Sequence, residues 1–122
     1  MEKPRADEED AKSKFSHRVK QLIKAIPHGK VATYGQIASQ AGNSRASRQV
    51  AWILHSCSEK DDLPWHRVIN SKGRISLPPQ GGYEVQKKLL ELEDIAFKEN
   101  DSIDLDKFLW RISSGLNGKL LI

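Results

Sequence analysis

Two short segments with helical features, separated by a glycine-containing turn, constrain the fold of this chain most strongly. Thr33 is a candidate N-cap for a short helix that runs to about Gln40. The turn is Ala41-Gly42-Asn43, and Ser44 is a candidate N-cap for a second helix that reaches about Ser56. Two helices joined by a short turn of this kind are typical of a helix-turn-helix.

Further helices are predicted on both sides of this pair. Apolar residues at helical spacing indicate a helix that starts at Lys14, and Pro27 ends it. A second apolar pattern predicts a helix from Tyr83 to about Leu92.

Two short strands are predicted between these helices. Arg67–Ile69 and Arg74–Ser76 read as strands joined by the turn at residues 70–73, which gives a wing-like hairpin. The predicted fold is therefore mainly α with a small β-hairpin wing, a winged helix-turn-helix. Tryptophan in a small domain is by default a core residue, so Trp52 and Trp110 are expected in the core.

The length of 122 residues suits one domain. Residues 1–12 have no periodic apolar pattern and are predicted to be a disordered arm that carries both acidic and basic side chains. We expect residues 13–112 to form the domain and residues 113–122 to form a C-terminal tail.

The net charge of +4 is distributed unevenly along the chain. Residues 11–88 carry 14 basic and four acidic side chains, a net charge of +10. Residues 1–10 and 89–122 each carry a net charge of −3. A basic central block suits a polyanionic partner such as DNA, although basic composition alone favours an ordinary solvated surface.

Several protein classes are disfavoured by what the sequence lacks. It has no apolar run that suits a membrane span or a signal peptide, so no membrane partner is expected. A single cysteine, Cys57, fits a reducing compartment, so we expect a cytoplasmic protein, nucleoid-associated in a bacterium or nuclear in a eukaryote. No Cys/His spacing suggests a metal, no cofactor is expected, and the protein is expected to be a monomer.

The segment Pro64-Trp65-His66-Arg67-Val68 resembles the Pro-Cys-His-Arg-Val motif of the O6-alkylguanine-DNA alkyltransferases, in which the cysteine accepts the alkyl group. Trp65 stands at the acceptor position. A thiolate attacks a carbon electrophile, whereas an indole offers only an N–H donor and an aromatic face. The resemblance therefore indicates the alkyltransferase-like proteins, which recognise the lesion without repairing it.

Two further motifs support the resemblance, which extends over about residues 15 to 112. Residues 31–38 resemble the family's segment that opens its helix-turn-helix, and residues 46–50 resemble its recognition helix. Arg48 lies 17 residues and Tyr34 lies 31 residues before Trp65, as the family's spacing requires.

The resemblance implies a role for each of these side chains. The recognition helix enters the minor groove, and Arg48 fills the gap that a flipped nucleotide leaves in the base stack. Tyr34 helps to rotate the nucleotide and lines the pocket, Trp65 forms the pocket floor, and the backbone of Val68 contacts the guanine edge. Other expected DNA-contacting residues lie on or near the helix-turn-helix and at the wing turn: Thr33, Gly35, Ala46, Ser47, Gln49, Ala51 and Ser71.

His66 and Glu93 correspond by resemblance to the pair that removes the thiol proton in active members. Without a thiol the pair has no proton to move, and it is expected to remain as a buried hydrogen-bonded pair. Arg67 is expected to brace the fold. The segment Leu77-Pro78-Pro79-Gln80 departs from the family's Tyr-Ser pair, which suggests a roomier pocket.

The implied function is binding of O6-alkylguanine in duplex DNA with base flipping and no alkyl transfer. The bound protein would flag the lesion for nucleotide excision repair proteins and block true alkyltransferases. Two alternatives stay open. A degenerate alkyltransferase would need another acceptor, such as Cys57, and a winged-helix transcription factor would read base sequence through the major groove.

Overall fold

The computed structural model describes residues 6 to 112, with side chains described from Lys14 onward. Within these residues the fold is mainly helical with a small two-stranded sheet, as the sequence predicts. The elements in chain order are α1 (Ala6–Ala25), β1 (Ala32–Thr33), α2 (Tyr34–Gln40), α3 (Ser47–Cys57), a 3₁₀ turn (Trp65–Arg67), β2 (Val68–Ile69), α4 (Tyr83–Leu92) and α5 (Leu105–Phe108).

The N-terminus of α2 is fixed by a capping box. The Thr33 hydroxyl accepts a hydrogen bond from the Gln36 backbone N–H at 3.0 Å, and the Gln36 side-chain oxygen accepts one from the Thr33 N–H at 3.2 Å. This confirms the predicted cap. Ser44 is not the cap of α3, because the helix begins three residues later, after Ala46, and has no side-chain cap bond.

The first hydrophobic cluster lies where α1, α2 and α3 meet. Its fully buried members include Val19 and Ile23 from α1, Ile37 from α2 and Val50 from α3. Trp110 packs against this cluster. The expectation that Trp52 is also a core residue is wrong, since its side chain is 67% exposed.

The helical geometry of α3 explains the position of Trp52. The buried residues Val50, Ile53 and Leu54 define the core-facing side of the helix. Trp52 lies on the other side, one turn after Arg48, which is also exposed.

The sheet differs from the predicted wing. β2 pairs in parallel with β1, with Ala32 opposite Val68, instead of pairing with residues 74–76. The turn itself is present, because the Asn70 N–H donates to the Arg74 carbonyl at 3.0 Å. Gly73 has a φ of +76°, and a Cβ there would lie 2.6 Å from the Ile103 carbonyl oxygen, so this turn needs glycine.

The segment after α5 docks beside β1. The Val31 N–H donates to the Phe108 carbonyl at 2.9 Å, and the Trp110 N–H donates to the Val31 carbonyl at 2.7 Å. The Gln36 amide also donates to the Trp110 carbonyl at 2.6 Å. A second hydrophobic cluster is formed beneath this segment by Val31, Ile69, Ile75, Leu90, Ile95, Ile103 and Phe108.

Helix α1 begins at Ala6, so the predicted disorder of the arm is wrong for residues 6–12. Residues 1–5 of the arm and the tail at residues 113–122 lie outside the described residues. In the part of the chain that is described, no helix is long and apolar enough to cross a bilayer.

Candidate nucleic-acid interface

A cleft of about 950 Å³ lies beside the recognition helix α3. Its walls come from α3, the loop that precedes the 3₁₀ turn, and the loop that precedes α4. The volume falls within the range of small-molecule sites, so the cleft has room for a nucleobase. The predicted site residues that line it are Tyr34, Ser47, Arg48, Ala51 and Trp65.

Trp65 is held at the cleft by the 3₁₀ turn. Its backbone N–H donates to the Leu63 carbonyl at 2.8 Å, and the Arg67 N–H donates to the Pro64 carbonyl at 3.1 Å. The half-buried indole packs against the first hydrophobic cluster and meets the His66 ring edge to face, with centroids 6.2 Å apart. Trp65 therefore presents a rigid aromatic surface to the cleft.

Helix α3 contributes a wall of small residues around one long cation. Ser47 and Ala51 line the cleft on either side of Arg48, whose side chain is exposed. Small side chains let a helix come close to the backbone of nucleic acid, while Arg48 extends beyond them.

The Tyr34 ring enters the cleft from the start of α2. Burial raises the pKa of its hydroxyl above the ordinary value of 10.0, although a hydrogen bond with Ser76 opposes the shift. The phenol is therefore protonated at neutral pH and remains a hydrogen-bond donor.

Below Trp65, a charged network joins His66, Arg67 and Glu93. His66 Nε2 lies 2.6 Å from Glu93 Oε2, and Arg67 Nη2 lies 2.9 Å from the same oxygen. The predicted pair of His66 and Glu93 is therefore present as a hydrogen-bonded pair. The Gly29 backbone N–H also donates to Glu93 Oε1 at 2.9 Å.

Burial by itself would raise the pKa of Glu93. Hydrogen bonds from Arg67, the Gly29 N–H and His66, together with the positive charge of Arg67, outweigh burial and hold the pKa at about 2. Arg67 Nη1 donates in addition to the Ile26 carbonyl at 2.9 Å. This network links the end of α1, the 3₁₀ turn and the end of α4, which confirms that Arg67 braces the fold.

Two of the predicted DNA-contacting residues, Val68 and Ala46, have buried side chains that do not line the cleft. The Val68 side chain is fully buried, its N–H donates to the Trp65 carbonyl, and its own carbonyl accepts from the Gln86 amide at 3.0 Å. Ala46 is 5% exposed, because it packs into the first hydrophobic cluster. Neither side chain is available to DNA in this arrangement.

The remaining predicted DNA contacts lie outside this cleft. Thr33 caps α2, and a Cβ at Gly35 would lie 3.7 Å from Ser47 Oγ, where α2 passes close to α3. Gln49 lines a smaller cleft on the other side of α3, and Ser71 is exposed at the wing turn.

Sequence reasoning missed several cleft residues. Gln86 is 2% exposed on α4, and its amide donates to the carbonyls of His66 and Val68, which positions the 3₁₀ turn. Glu59 and Asp62 also line the cleft. Their place in the loop immediately before Trp65 was the available signal.

Comparison with known proteins shows the family to which the chain belongs. Residues 14–95 match the family model of the 6-O-methylguanine DNA methyltransferase DNA-binding domain. The chain is 38% identical over 107 residues to the DNA base-flipping protein of Escherichia coli, covering 88% of this chain and 82% of that one. It is 34% identical over 102 residues to alkyltransferase-like protein 1 of Schizosaccharomyces pombe, covering 80% of this chain and 94% of that one. The chain belongs to the alkyltransferase-like members of this family.

Solved structures of an alkyltransferase-like protein and of an O6-methylguanine methyltransferase have folds similar to that of this chain. The S. pombe alkyltransferase-like protein, in complex with damaged DNA containing O6-carboxymethylguanine, has a TM-score of 0.71 at 33% identity, over 89% of this chain and 100% of that one. The Mycobacterium tuberculosis O6-methylguanine methyltransferase has a TM-score of 0.53 at 31% identity, over 75% of this chain and 53% of that one.

Proposed function

We propose that this protein binds O6-alkylguanine in duplex DNA, flips the alkylated nucleotide into the cleft above Trp65, and retains it without transferring the alkyl group. The observation that carries the proposal is Trp65 itself. Trp65 lines the cleft, and by the motif resemblance it stands where the family's alkyltransferases carry the acceptor cysteine.

The surroundings of Trp65 favour binding over chemistry. None of the described residues that line the cleft is a cysteine. Cys57 is partly buried, packs against the first hydrophobic cluster and is not a cleft residue. Glu93 already accepts hydrogen bonds from three groups, and His66 faces no thiol, so the pair serves to hold the fold.

The cleft also suits a flipped base. Extruding a nucleotide costs a few kcal/mol, and less where an adduct has weakened base pairing. Arg48 is exposed at the rim on α3, where its guanidinium can replace the lost base in the stack and bond to the orphaned partner. The Tyr34 phenol lines the same cleft, where it would crowd the phosphate of the rotating nucleotide.

The discrimination comes from contact with the adduct. An O6-alkyl group that lies on the Trp65 indole gains about 0.8 kcal/mol for each buried methylene. Plain guanine lacks this contact and keeps its full pairing energy in the duplex.

A protein that remains on the lesion has two consequences. A true alkyltransferase cannot reach the same base while the protein is bound. The long-lived complex also marks the site for nucleotide excision repair proteins, and one monomer is sufficient for each lesion.

A base-flipping assay tests the proposal. A duplex with 2-aminopurine next to O6-methylguanine should become more fluorescent when the protein binds, because the neighbouring base loses its stacking partner. An Arg48→Ala variant should give a smaller rise. Saturated binding with no fluorescence change would contradict flipping.

A further inference from the structure

Two carboxylates line the same cleft as Trp65, and we call Glu59 and Asp62 the acidic wall. Both side chains are exposed. The loop that carries them is held by hydrogen bonds from the Asp61 N–H to the Cys57 carbonyl at 2.8 Å and from the Leu63 N–H to the Ser58 carbonyl at 2.9 Å. These backbone bonds thus fix the loop from which both side chains extend toward the cleft.

The acidic wall is not neutralised by the surrounding residues of the described chain. The neighbouring Asp61 forms an ion pair with Lys20, with Nζ 3.0 Å from Oδ2. Among the residues that the structure describes, neither Glu59 nor Asp62 forms such a pair. Arg48 is the only lysine or arginine among the described cleft residues.

Binding of a flipped base would remove that cation from the cleft. In the proposed function, Arg48 inserts into the DNA stack, so its charge leaves the neighbourhood of Glu59 and Asp62. The flipped base would then share the cleft with two solvent-exposed negative charges. A third negative charge, on the adduct, would be repelled by both.

We propose that Glu59 and Asp62 make the cleft select adducts by charge, so that neutral or cationic O6-alkyl groups bind more tightly than anionic ones. This inference rests on the proposed function, since it concerns the adduct in the same cleft. It adds a specificity that neither the volume of the cleft nor the Trp65 surface provides.

A pair of isosteric adducts tests the inference. O6-carboxymethylguanine ends in a carboxylate, and O6-carbamoylmethylguanine ends in a neutral amide of nearly the same size. Dissociation constants are measured for both in one duplex sequence, with O6-methylguanine and guanine duplexes alongside. The S. pombe protein, whose solved complex contains the carboxymethyl adduct, provides a reference for the assay.

We expect the wild-type protein to bind the amide adduct roughly three- to tenfold more tightly than the carboxylate adduct, the scale of one or two exposed charge pairs. In the double variant Glu59→Gln/Asp62→Asn the ratio should fall below about twofold. Asp62 has a φ of +52°, a conformation that asparagine also accepts, so the loop should keep its shape.

A matched control is available at the end of α4. Glu91 and Asp94 are exposed and have the same spacing, and Asp94 also has a positive φ, +64°. Neither lines the cleft. Glu91→Gln/Asp94→Asn removes the same two negative charges, so it reproduces any general increase in affinity for DNA.

The outcomes separate the two claims. If the ratio of the two dissociation constants decreases in Glu59→Gln/Asp62→Asn and not in Glu91→Gln/Asp94→Asn, the result supports selection by the acidic wall. A carboxylate-to-amide ratio of dissociation constants that is near one in the wild type, or equal in both variants, overturns the selection by charge. The proposed function still stands in that case if the wild type prefers O6-methylguanine over guanine. If the wild type binds O6-methylguanine no more tightly than guanine, the proposed function and the selection by charge are both contradicted.

Discussion

Replacing Glu93 with glutamine should destabilise the protein in a pH-dependent way. Glu93 is 8% exposed and accepts hydrogen bonds from the Gly29 N–H, His66 and Arg67. Glutamine keeps the shape and removes the negative charge. The Arg67 guanidinium, whose side chain is 17% exposed, then loses its ionic partner.

The size of the effect follows from the pKa. A carboxyl group held at a pKa of about 2 in the folded state, against its ordinary value of 4.5, contributes about 3 kcal/mol at neutral pH. Removing one partner of a buried ion pair costs roughly 3–5 kcal/mol, which agrees. Because the folded pKa is the lower one, this stability is complete above pH 4.5 and is lost as the pH falls towards 2.

Urea unfolding followed by tryptophan fluorescence measures the effect. Glu93→Gln should lower the free energy of unfolding by about 3 kcal/mol at pH 7 and by roughly half of that at pH 3. Glu91→Gln, an exposed neighbour, should change it by less than about 0.5 kcal/mol at either pH. If Glu93→Gln lowers the free energy of unfolding by less than about 1 kcal/mol, or by the same amount at both pH values, the stabilising role of the Glu93 charge is contradicted.

Three further predictions concern DNA binding. Arg48→Ala should weaken binding to an O6-methylguanine duplex at least about tenfold in fluorescence anisotropy, because nothing then fills the gap in the base stack. Arg45→Ala removes the same charge and should cause a smaller loss of affinity, and equal losses would contradict the gap-filling role of Arg48. Trp65→Ala should reduce the preference for O6-methylguanine over guanine about fourfold, the worth of one methyl contact, and an equal loss on both duplexes would indicate a structural role. The association constant should decrease as the salt concentration rises, and its logarithm plotted against the logarithm of salt concentration should have a slope of about −0.9 for each phosphate contact. Binding that does not depend on salt would contradict contact with the DNA backbone.

The helices were predictable because their signals are local. Thr33 and Gln36 lie three residues apart and form the capping box that starts α2, and α4 has the predicted bounds, Tyr83–Leu92. The pair of His66 and Glu93 came from the family resemblance, since residues so far apart in the chain have no local signal that joins them.

The errors have different physical causes. Residues 68–69 pair with β1, far away in the chain, and this long-range parallel contact replaces the adjacent hairpin that their pattern suggested. Trp52 was assigned to the core by residue type, although its spacing from Arg48 places it on the exposed face of α3. Glu59 and Asp62 reach the cleft through the fold of their loop, and the one sequence signal for this is their place just before Trp65.

The most direct measurement of the central claim compares two short duplexes that differ only by O6-methylguanine in place of guanine, with the protein weighed by mass spectrometry afterwards. We expect tighter binding to the lesion duplex and an unchanged protein mass. A methyl-sized mass gain would reveal an acceptor elsewhere, such as Cys57, and restore an enzyme. Equal affinity for the two duplexes would leave only a DNA-binding helix-turn-helix, and the role of Trp65 would be contradicted.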